Sequence, residues 1–334
     1  MTVIVIARGK VFFRLCVFLL AFLALAAPRF GLAASAEKAE EGGEAPRVVQ
    51  NEGLEELKFD VDHPESVPTG EPFVVRCETN GNFDFVEISW NGKTIPLSMI
   101  QREQVGGRYV EVLLPMPLNP KEKSLPLVIL AGEVRKTRIY SANIKVTQRE
   151  YPVQHLQVAP KYVSPKAEDQ ARIEAESKKN RAILTTINPE SFWKLPFERP
   201  VPGIITSEFG FKRMFNKQPR SQHKGVDFRS PMGGEVKACA DGWVVLAEEQ
   251  YFSGNVVIID HGLGVYSLYA HLNEFVVFSG DFVQAGELIG LSGKTGRVTG
   301  PHLHFGLTVQ GESVTPEPFM KNFRPAKKNT RAKR

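Results

Sequence analysis

The chain has 334 residues, 42% of them hydrophobic and 24% charged, which gives enough apolar material for packed cores and excludes a chain too polar to fold. Its formal charge of +5 comes from the two ends: Arg8, Lys10, Arg14 and Arg29 near the start, and seven basic residues with no acid from Lys321 to Arg334. The body between them is net acidic.

At the N-terminus, Arg8, Lys10 and Arg14 precede an apolar run from Leu15 to Ala27, and Ala34-Ser35-Ala36 offers the small residues of a cleavage site. This is the plan of a secretory signal peptide over residues 1–36. The run falls short of the ~20 apolar residues that a bilayer-spanning helix needs, so an uncleaved N-terminal anchor is the alternative. Export to the periplasm or cell envelope is therefore expected, and nucleic acid is excluded as a partner. Beyond the signal only Cys77 and Cys239 remain. A lone pair so far apart does not form a disulfide framework, and both read as small buried hydrophobes.

Residues 37–54, rich in Glu, Ala and Gly, read as a flexible tether. From 55 to 153, short alternating runs such as Phe85-Val86-Glu87-Ile88-Ser89-Trp90 and Tyr109-Val110-Glu111-Val112-Leu113-Leu114 are broken by turn residues. Asn91-Gly92 ahead of Lys93-Thr94-Ile95 is a strong hairpin signal. The pattern predicts an Ig-like antiparallel β-sandwich, with its one histidine, His63, on the surface. Residues 154–199 read as a helical linker. Ser164-Pro165 is expected to cap an exposed helix over 164–187, rich in Ala, Glu, Lys and Arg. From 200 to 320 strands return at Glu235–Ala240, Trp243–Glu248, Val256–Asp260, Val265–Ala270, Leu288–Leu291 and Leu303–Val309, with no βαβ alternation. The fold class is thus all-β with a connecting helix: an N-terminal β-sandwich followed by an antiparallel β domain. The basic tail at 321–334 reads as disordered, either a solubilising end or an electrostatic contact with an anionic envelope surface.

Five of the seven histidines fall in the C-terminal domain: His223, His261, His271, His302 and His304. His223 and Asp227 flank Gly225, in a segment whose curvature can bring both to one ion. His302 and His304 bracket Leu303, and in a strand residues two apart project to the same face. His271 ends the predicted strand Val265–Ala270. His261, between Asp260 and Gly262, reads as a structural turn histidine. Catalytic zinc keeps three protein ligands and one open position. His223, Asp227 and one histidine of the pair would supply them, leaving the other histidine and His271 for proton transfer. No His-Glu-x-x-His occurs, so the usual glutamate base is missing; a histidine, with its pKa near working pH, is the natural substitute.

Four ordered segments carry a family likeness: Ile205-Thr206-Ser207-Glu208-Phe209-Gly210, His223-Lys224-Gly225-Val226-Asp227, Tyr269-Ala270-His271-Leu272, and Gly300-Pro301-His302-Leu303-His304-Phe305-Gly306. Together they resemble the LytM/lysostaphin-type zinc metallopeptidases, the M23 family, over roughly residues 200–318. Met232-Gly233-Gly234-Glu235 departs from the family pattern in a turn. The resemblance implies one Zn2+ held by His223, Asp227 and His304, with His271 and His302 as catalytic histidines. One of these two would assist deprotonation of the attacking water and the other would stabilise the tetrahedral oxyanion; the resemblance does not divide the roles. It implies a peptidoglycan endopeptidase acting on stem-peptide cross-links or on bridge peptides. The alternative is a non-catalytic peptidoglycan-binding protein or an activator of another cell-wall hydrolase, as in members that have lost ligands. The helix at 164–187 and the loop Phe211–Gln222 are positioned to cover the groove.

Overall fold

The computed structural model describes residues 59–79, 85–96, 102–104, 107–133 and 136–320. The signal segment at 1–36, the tether at 37–54 and the basic tail at 321–334 lie outside the described residues.

The first part is two facing sheets. One holds four strands in the order Phe59–Asp62, Pro72–Thr79, Gly107–Pro115, Arg102–Gln104; the other holds five in the order Ser66–Pro68, Lys136–Thr147, Ser124–Glu133, Phe85–Trp90, Lys93–Pro96. Alternation decides which face is buried. In Phe85–Trp90, Val86, Ile88 and Trp90 point inward while the residues between them are half exposed. Trp90 ties the sheets together: its indole packs edge-on to Phe73 at 5.0 Å and its Nε1–H donates to the Pro115 carbonyl at 2.8 Å. The predicted hairpin is present. Asn91 and Gly92 take φ of 46° and 73°, the left-handed pair that a tight two-residue turn demands.

The C-terminal part is built on a ten-stranded antiparallel sheet. Its central path runs Ile205–Ser207, Val226–Phe228, Leu303–Val309, Val265–Phe275, Gly254–Asp260, Gly242–Gln250, Phe282–Val283. Val256 to Asp260 are buried on both faces, as an apolar run in a covered central strand should be. Trp193, Phe197, Phe209, Phe228, Tyr269 and Phe305 fill its core. The core continues into the sandwich. Tyr151 Oη–H donates to the Thr69 carbonyl at 2.5 Å, and Thr315 N–H to the Gly70 carbonyl at 2.8 Å. Cys77 and Cys239 are free and buried, and burial pushes the Cys239 thiol up to about 11.

Two segments differ from the sequence reading. The expected loop Phe211–Gln222 is a hairpin, Lys212–Phe215 paired with Gln218–Gln222, turned by Asn216 and Lys217 at φ of 48° and 68°. Without a glycine the turn lacks the usual signal, and Asn216 secures it instead: its side chain accepts from Val158 N–H at 3.0 Å and donates to the Val158 carbonyl at 2.9 Å. The hairpin is widened by Val153–Leu156, which pairs with Lys212–Phe215 in parallel, so the linker holds a strand as well as a helix. The helix spans Ala167–Leu184 and is capped by the backbone at Lys166, not by Ser164. Ser164 is used elsewhere: its N–H donates to the Pro160 carbonyl and closes the preceding short turn. Good helix formers sustain the helix, with Glu168 and Asp169 in the first turn and Arg181 in the last. No helix residue is buried. It is held to the sheet by polar contacts: Arg172 to Glu249 at 3.0 Å, Asn180 to Gln250 at 2.9 Å, Lys179 to Glu248, and Tyr251 N–H to Glu176 at 2.9 Å.

Candidate metal centre

Strand register assembles the centre. Val226–Phe228 pairs antiparallel with Leu303–Val309 so that Asp227 sits opposite His304, and Val265–Phe275 pairs on the other side with Ala270 opposite His304. Three chain segments thus place their polar residues around one point. His223 enters from the loop before Val226, anchored by its N–H to the Phe211 carbonyl at 2.8 Å. Gly225 makes the approach possible: a Cβ there would lie 2.4 Å from the Phe305 carbonyl oxygen and 2.8 Å from His304 Cε1.

His223 Nε2, Asp227 Oδ1 and His304 Nδ1 form a small triangle. The edges are 3.0 Å from His223 to Asp227, 2.8 Å from Asp227 to His304 and 3.0 Å from His223 to His304. All three residues are shielded, and together they form a cluster able to hold a metal ion. Hydrogen bonding fixes the tautomer of His223. Its Nδ1 lies 2.9 Å from the Glu208 carbonyl, which can only accept, so the proton is on Nδ1 and the Nε2 lone pair faces the triangle. Asp227 alone would be pushed up by burial, but its contacts with His223 and His304 outweigh that and hold its carboxyl well below the usual carboxylate range. Burial lowers His304 to about 4, so its ring is neutral near pH 7. Three ligand atoms then crowd together with at most one proton among them. That donor set, two imidazole nitrogens and a carboxylate oxygen, fits a zinc ion with bonds of roughly 2.0–2.2 Å.

His271 and His302 flank the triangle. The His271 ring centroid lies 5.0 Å from that of His302 and 5.9 Å from that of His304, and His302 Nε2 is 3.8 Å from Asp227 Oδ1. Each Nδ1 faces a carbonyl: His271 to Thr295 at 2.9 Å and His302 to Gly300 at 2.8 Å. A carbonyl can only accept, so each ring carries a proton on Nδ1 and turns its Nε2 away from that carbonyl. Burial, then the neighbouring His302 and His304, hold His271 well below the ordinary histidine range. The strand does not end at His271, as the sequence suggests, but runs on to Phe275. His271 takes φ of 65° at a point where the register shifts. A β-branch-free residue forced into the left-handed region within a strand is strained, and the irregularity aims the imidazole out of the ladder toward the site.

His261 is elsewhere. It is fully buried, a structural residue of the core. Sequence reasoning missed Arg213, whose Nη2 donates to Asp227 Oδ2 and, at 3.3 Å, to Ser207 Oγ. It stands 14 residues before Asp227 within the unrecognised hairpin, so no spacing rule pointed to it. Thr295 was also missed: besides its carbonyl contact with His271, its Oγ1–H donates to the Leu272 carbonyl at 2.7 Å.

Residues 221–316 match the description Peptidase family M23. The chain carries an M23 peptidase domain. Its stretch is 43% identical over 111 residues to peptidoglycan DD-endopeptidase ShyA of Vibrio cholerae, covering 33% of this chain and 26% of that protein. It is 41% identical over 112 residues to DD-carboxypeptidase/endopeptidase Mpg of Neisseria meningitidis, covering 34% of this chain and 26% of that protein. The similarity thus spans about a quarter of each relative's length. A crystal structure from Pseudomonas aeruginosa described as peptidase M23 is similar over 70% of this chain and 86% of its own, with 26% identity and a TM-score of 0.52. That likeness extends beyond the M23 domain into the upstream residues, and all three residues of the triangle lie within the matched M23 stretch.

Proposed function

We propose that this protein is an exported zinc endopeptidase that hydrolyses peptide cross-links of peptidoglycan. The observation that carries the reading is the convergence of His223, Asp227 and His304 on one point with His271 and His302 beside it. The M23 domain and the peptidoglycan endopeptidases it resembles support the substrate class. The secretory pattern at residues 1–36 supports a periplasmic or envelope location, where that substrate is found.

His223 Nε2, Asp227 Oδ1 and His304 Nδ1 would hold the zinc. When bound it supplies Lewis acidity, which polarises a carbonyl and makes water a nucleophile near neutral pH. The protein's own groups do the rest. The Glu208 carbonyl keeps His223 in the ligating tautomer. Arg213 holds Asp227 Oδ2, leaving Oδ1 directed at the centre. His271 and His302 turn their Nε2 atoms to the centre, one to take the proton from the attacking water and then to pass it to the leaving amine. The other, in its protonated form, steadies negative charge on the tetrahedral carbon's oxygen. Thr295 and Gly300 carbonyls keep both rings turned inward throughout.

The test is mass spectrometry of muropeptides after purified sacculi are treated with the zinc-loaded full chain and with His302→Ala. Loss of cross-linked dimers with matching gain of monomers is the expected result, and the variant should leave the profile near that of untreated sacculi. A folded, zinc-loaded protein that leaves the dimers intact would overturn the reading. Release of a terminal residue from monomers alone would mean a carboxypeptidase.

A further inference from the structure

The groove at the triangle has two unequal lobes. One, a cavity of about 500 Å³, runs beneath the helix past Lys224 and Gly306, and its charged lining is mixed: Glu176, Arg181 and Lys224. The other, about 270 Å³, lies between the Val153–Leu156 strand and the segment leading to His302. Among the described residues lining this second lobe the charged groups are Arg213, Arg297 and Asp227, together with His271 and His302. Asp227 is already matched by Arg213 and by its histidine partners. A bound divalent ion would add further positive charge. With Arg213 and Asp227 paired to each other, an anionic group entering this lobe meets the charge of Arg297 beside His302.

Arg297 is built to receive such a group. Its guanidinium carbon stands 4.6 Å from the centroid of Phe215 and 4.4 Å from that of Phe252, so the planar head is held by two rings. Its backbone is fixed as well: Arg297 N–H donates to the Phe252 carbonyl at 2.9 Å. Beside it Gly296, at φ of 72°, allows the chain to lie against Gly254, where a Cβ would come within 2.4 Å of the Gly254 nitrogen. Thr295, one residue further back, binds both Asn255 N–H and the Leu272 carbonyl. The same rigid turn that orients His271 through the Thr295 carbonyl therefore presents a preorganised guanidinium into the lobe next to His302. Little entropy remains to be lost when a carboxylate docks on it.

We propose that Arg297 is a specificity-determining residue that binds a free carboxylate of the peptide substrate in the lobe beside His302. This rests on the peptidase reading above, and the peptide stems of peptidoglycan do carry free carboxylates. The geometry asks for a carboxylate on the part of the substrate lying on the His302 side of the scissile bond.

The experiment uses the zinc-loaded full chain and two synthetic cross-linked peptides identical except that one free carboxylate of the first is a carboxamide in the second. The wild type should favour the acid by about tenfold or more in kcat/KM, the scale of one charge-assisted hydrogen bond. Arg297→Gln should bring the acid-to-amide ratio close to one, through KM on the acid peptide. Arg297→Lys, which keeps the charge but not the planar fork, should retain part of the preference. Equal use of the two peptides by the wild type, or an equal loss on both in Arg297→Gln with Arg297→Lys no better, overturns the proposal. If neither peptide is cleaved, the endopeptidase reading fails, and equilibrium binding of the same pair decides the role of Arg297 separately. Preference for the acid that disappears in Arg297→Gln supports it; equal binding overturns it.

Discussion

Two buried groups of polar side chains lie in the same sheet and are built in opposite ways. Around His261 every contact closes inward. Its Nδ1–H donates to the Asp241 carbonyl at 2.7 Å and its Nε2 lies 2.7 Å from Ser267 Oγ. Ser267 Oγ and Tyr269 Oη share a hydrogen bond of 3.0 Å, and Cys239 N–H donates to Tyr269 Oη at 2.8 Å. Donors and acceptors alternate and nothing is left over. At His223 and Asp227 the outer atoms are satisfied by Glu208 and Arg213, while the inner atoms of these two and of His304 face one another with at most one proton among them. Both groups contain shielded histidines within a few ångströms of aromatic core. What separates structure from chemistry is where the second ring nitrogen goes: to a protein partner in one case, to a point that needs a cation in the other.

The largest effects should come from dividing the second group. His304→Ala removes a triangle vertex, so zinc per chain should fall well below one and hydrolysis should drop by about 10³-fold or more, the loss of several kcal/mol of transition-state stabilisation. His302→Ala should keep one zinc per chain and lose roughly 10²- to 10⁴-fold in rate, the range of a general acid–base group. Metal analysis of the purified variants beside their rates checks both. Stoichiometric zinc in His304→Ala, or equal zinc loss in the two, would erase the distinction between ligand and proton carrier.

How far the sequence foretold this depends on the kind of signal. The pair at 302 and 304 was legible because strand periodicity is local: the strand begins at Leu303, His302 sits in a single bridge to Gly293 just before it, and His302 Nε2 and His304 Nδ1 stand 3.8 and 2.8 Å from Asp227 Oδ1. The hairpin at Asn91-Gly92 and the strand Leu303–Val309 were legible for the same reason. The Asn216-Lys217 turn was not, since left-handed φ at two non-glycine residues leaves no mark in composition. Arg213 went with it, because its partnership with Asp227 depends on how that hairpin folds back. The parallel pairing of Val153–Leu156 with Lys212–Phe215 joins residues about sixty positions apart, beyond any local pattern. His261 was read as a structural turn histidine and lies apart from the triangle, but its depth was invisible: Asp-His-Gly marks a turn, and only the sheet's cover buries it.

A smaller effect separates the two groups by stability. His261→Ala leaves the Asp241 carbonyl and the Ser267 hydroxyl without their partner and opens a cavity, so unfolding free energy should fall by about 3 kcal/mol. Zinc per chain should stay at one, in contrast to His304→Ala. Denaturant unfolding followed by metal analysis checks this. A His261→Ala protein as stable as the wild type would mean that the buried network is not holding the core.

The smallest effect is in the pH dependence, where the sign follows from burial. Desolvation lowers His261 to about 4 in the folded protein, against an unfolded value of 6.5. Between those values the unfolded chain binds a proton that the folded chain refuses. Stability supplied by the neutral ring is therefore fully present above pH 6.5 and is lost as pH falls toward 4, with a slope of at most about 1.4 kcal/mol per unit. Carboxylates confuse the raw curve, and Asp260 beside it, pushed up by burial, acts in the opposite sense. Both contributions are common to the wild type and His261→Asn, so the difference between their unfolding free energies isolates the imidazole. With zinc saturating, the wild type's advantage should shrink steadily from pH 6.5 to 4 and stay level from 6.5 to 8. A difference that does not change across the lower window would show that the ring takes up its proton without opening the core, and the contrast between a closed network and an ion-seeking triangle would then rest on the metal analysis alone.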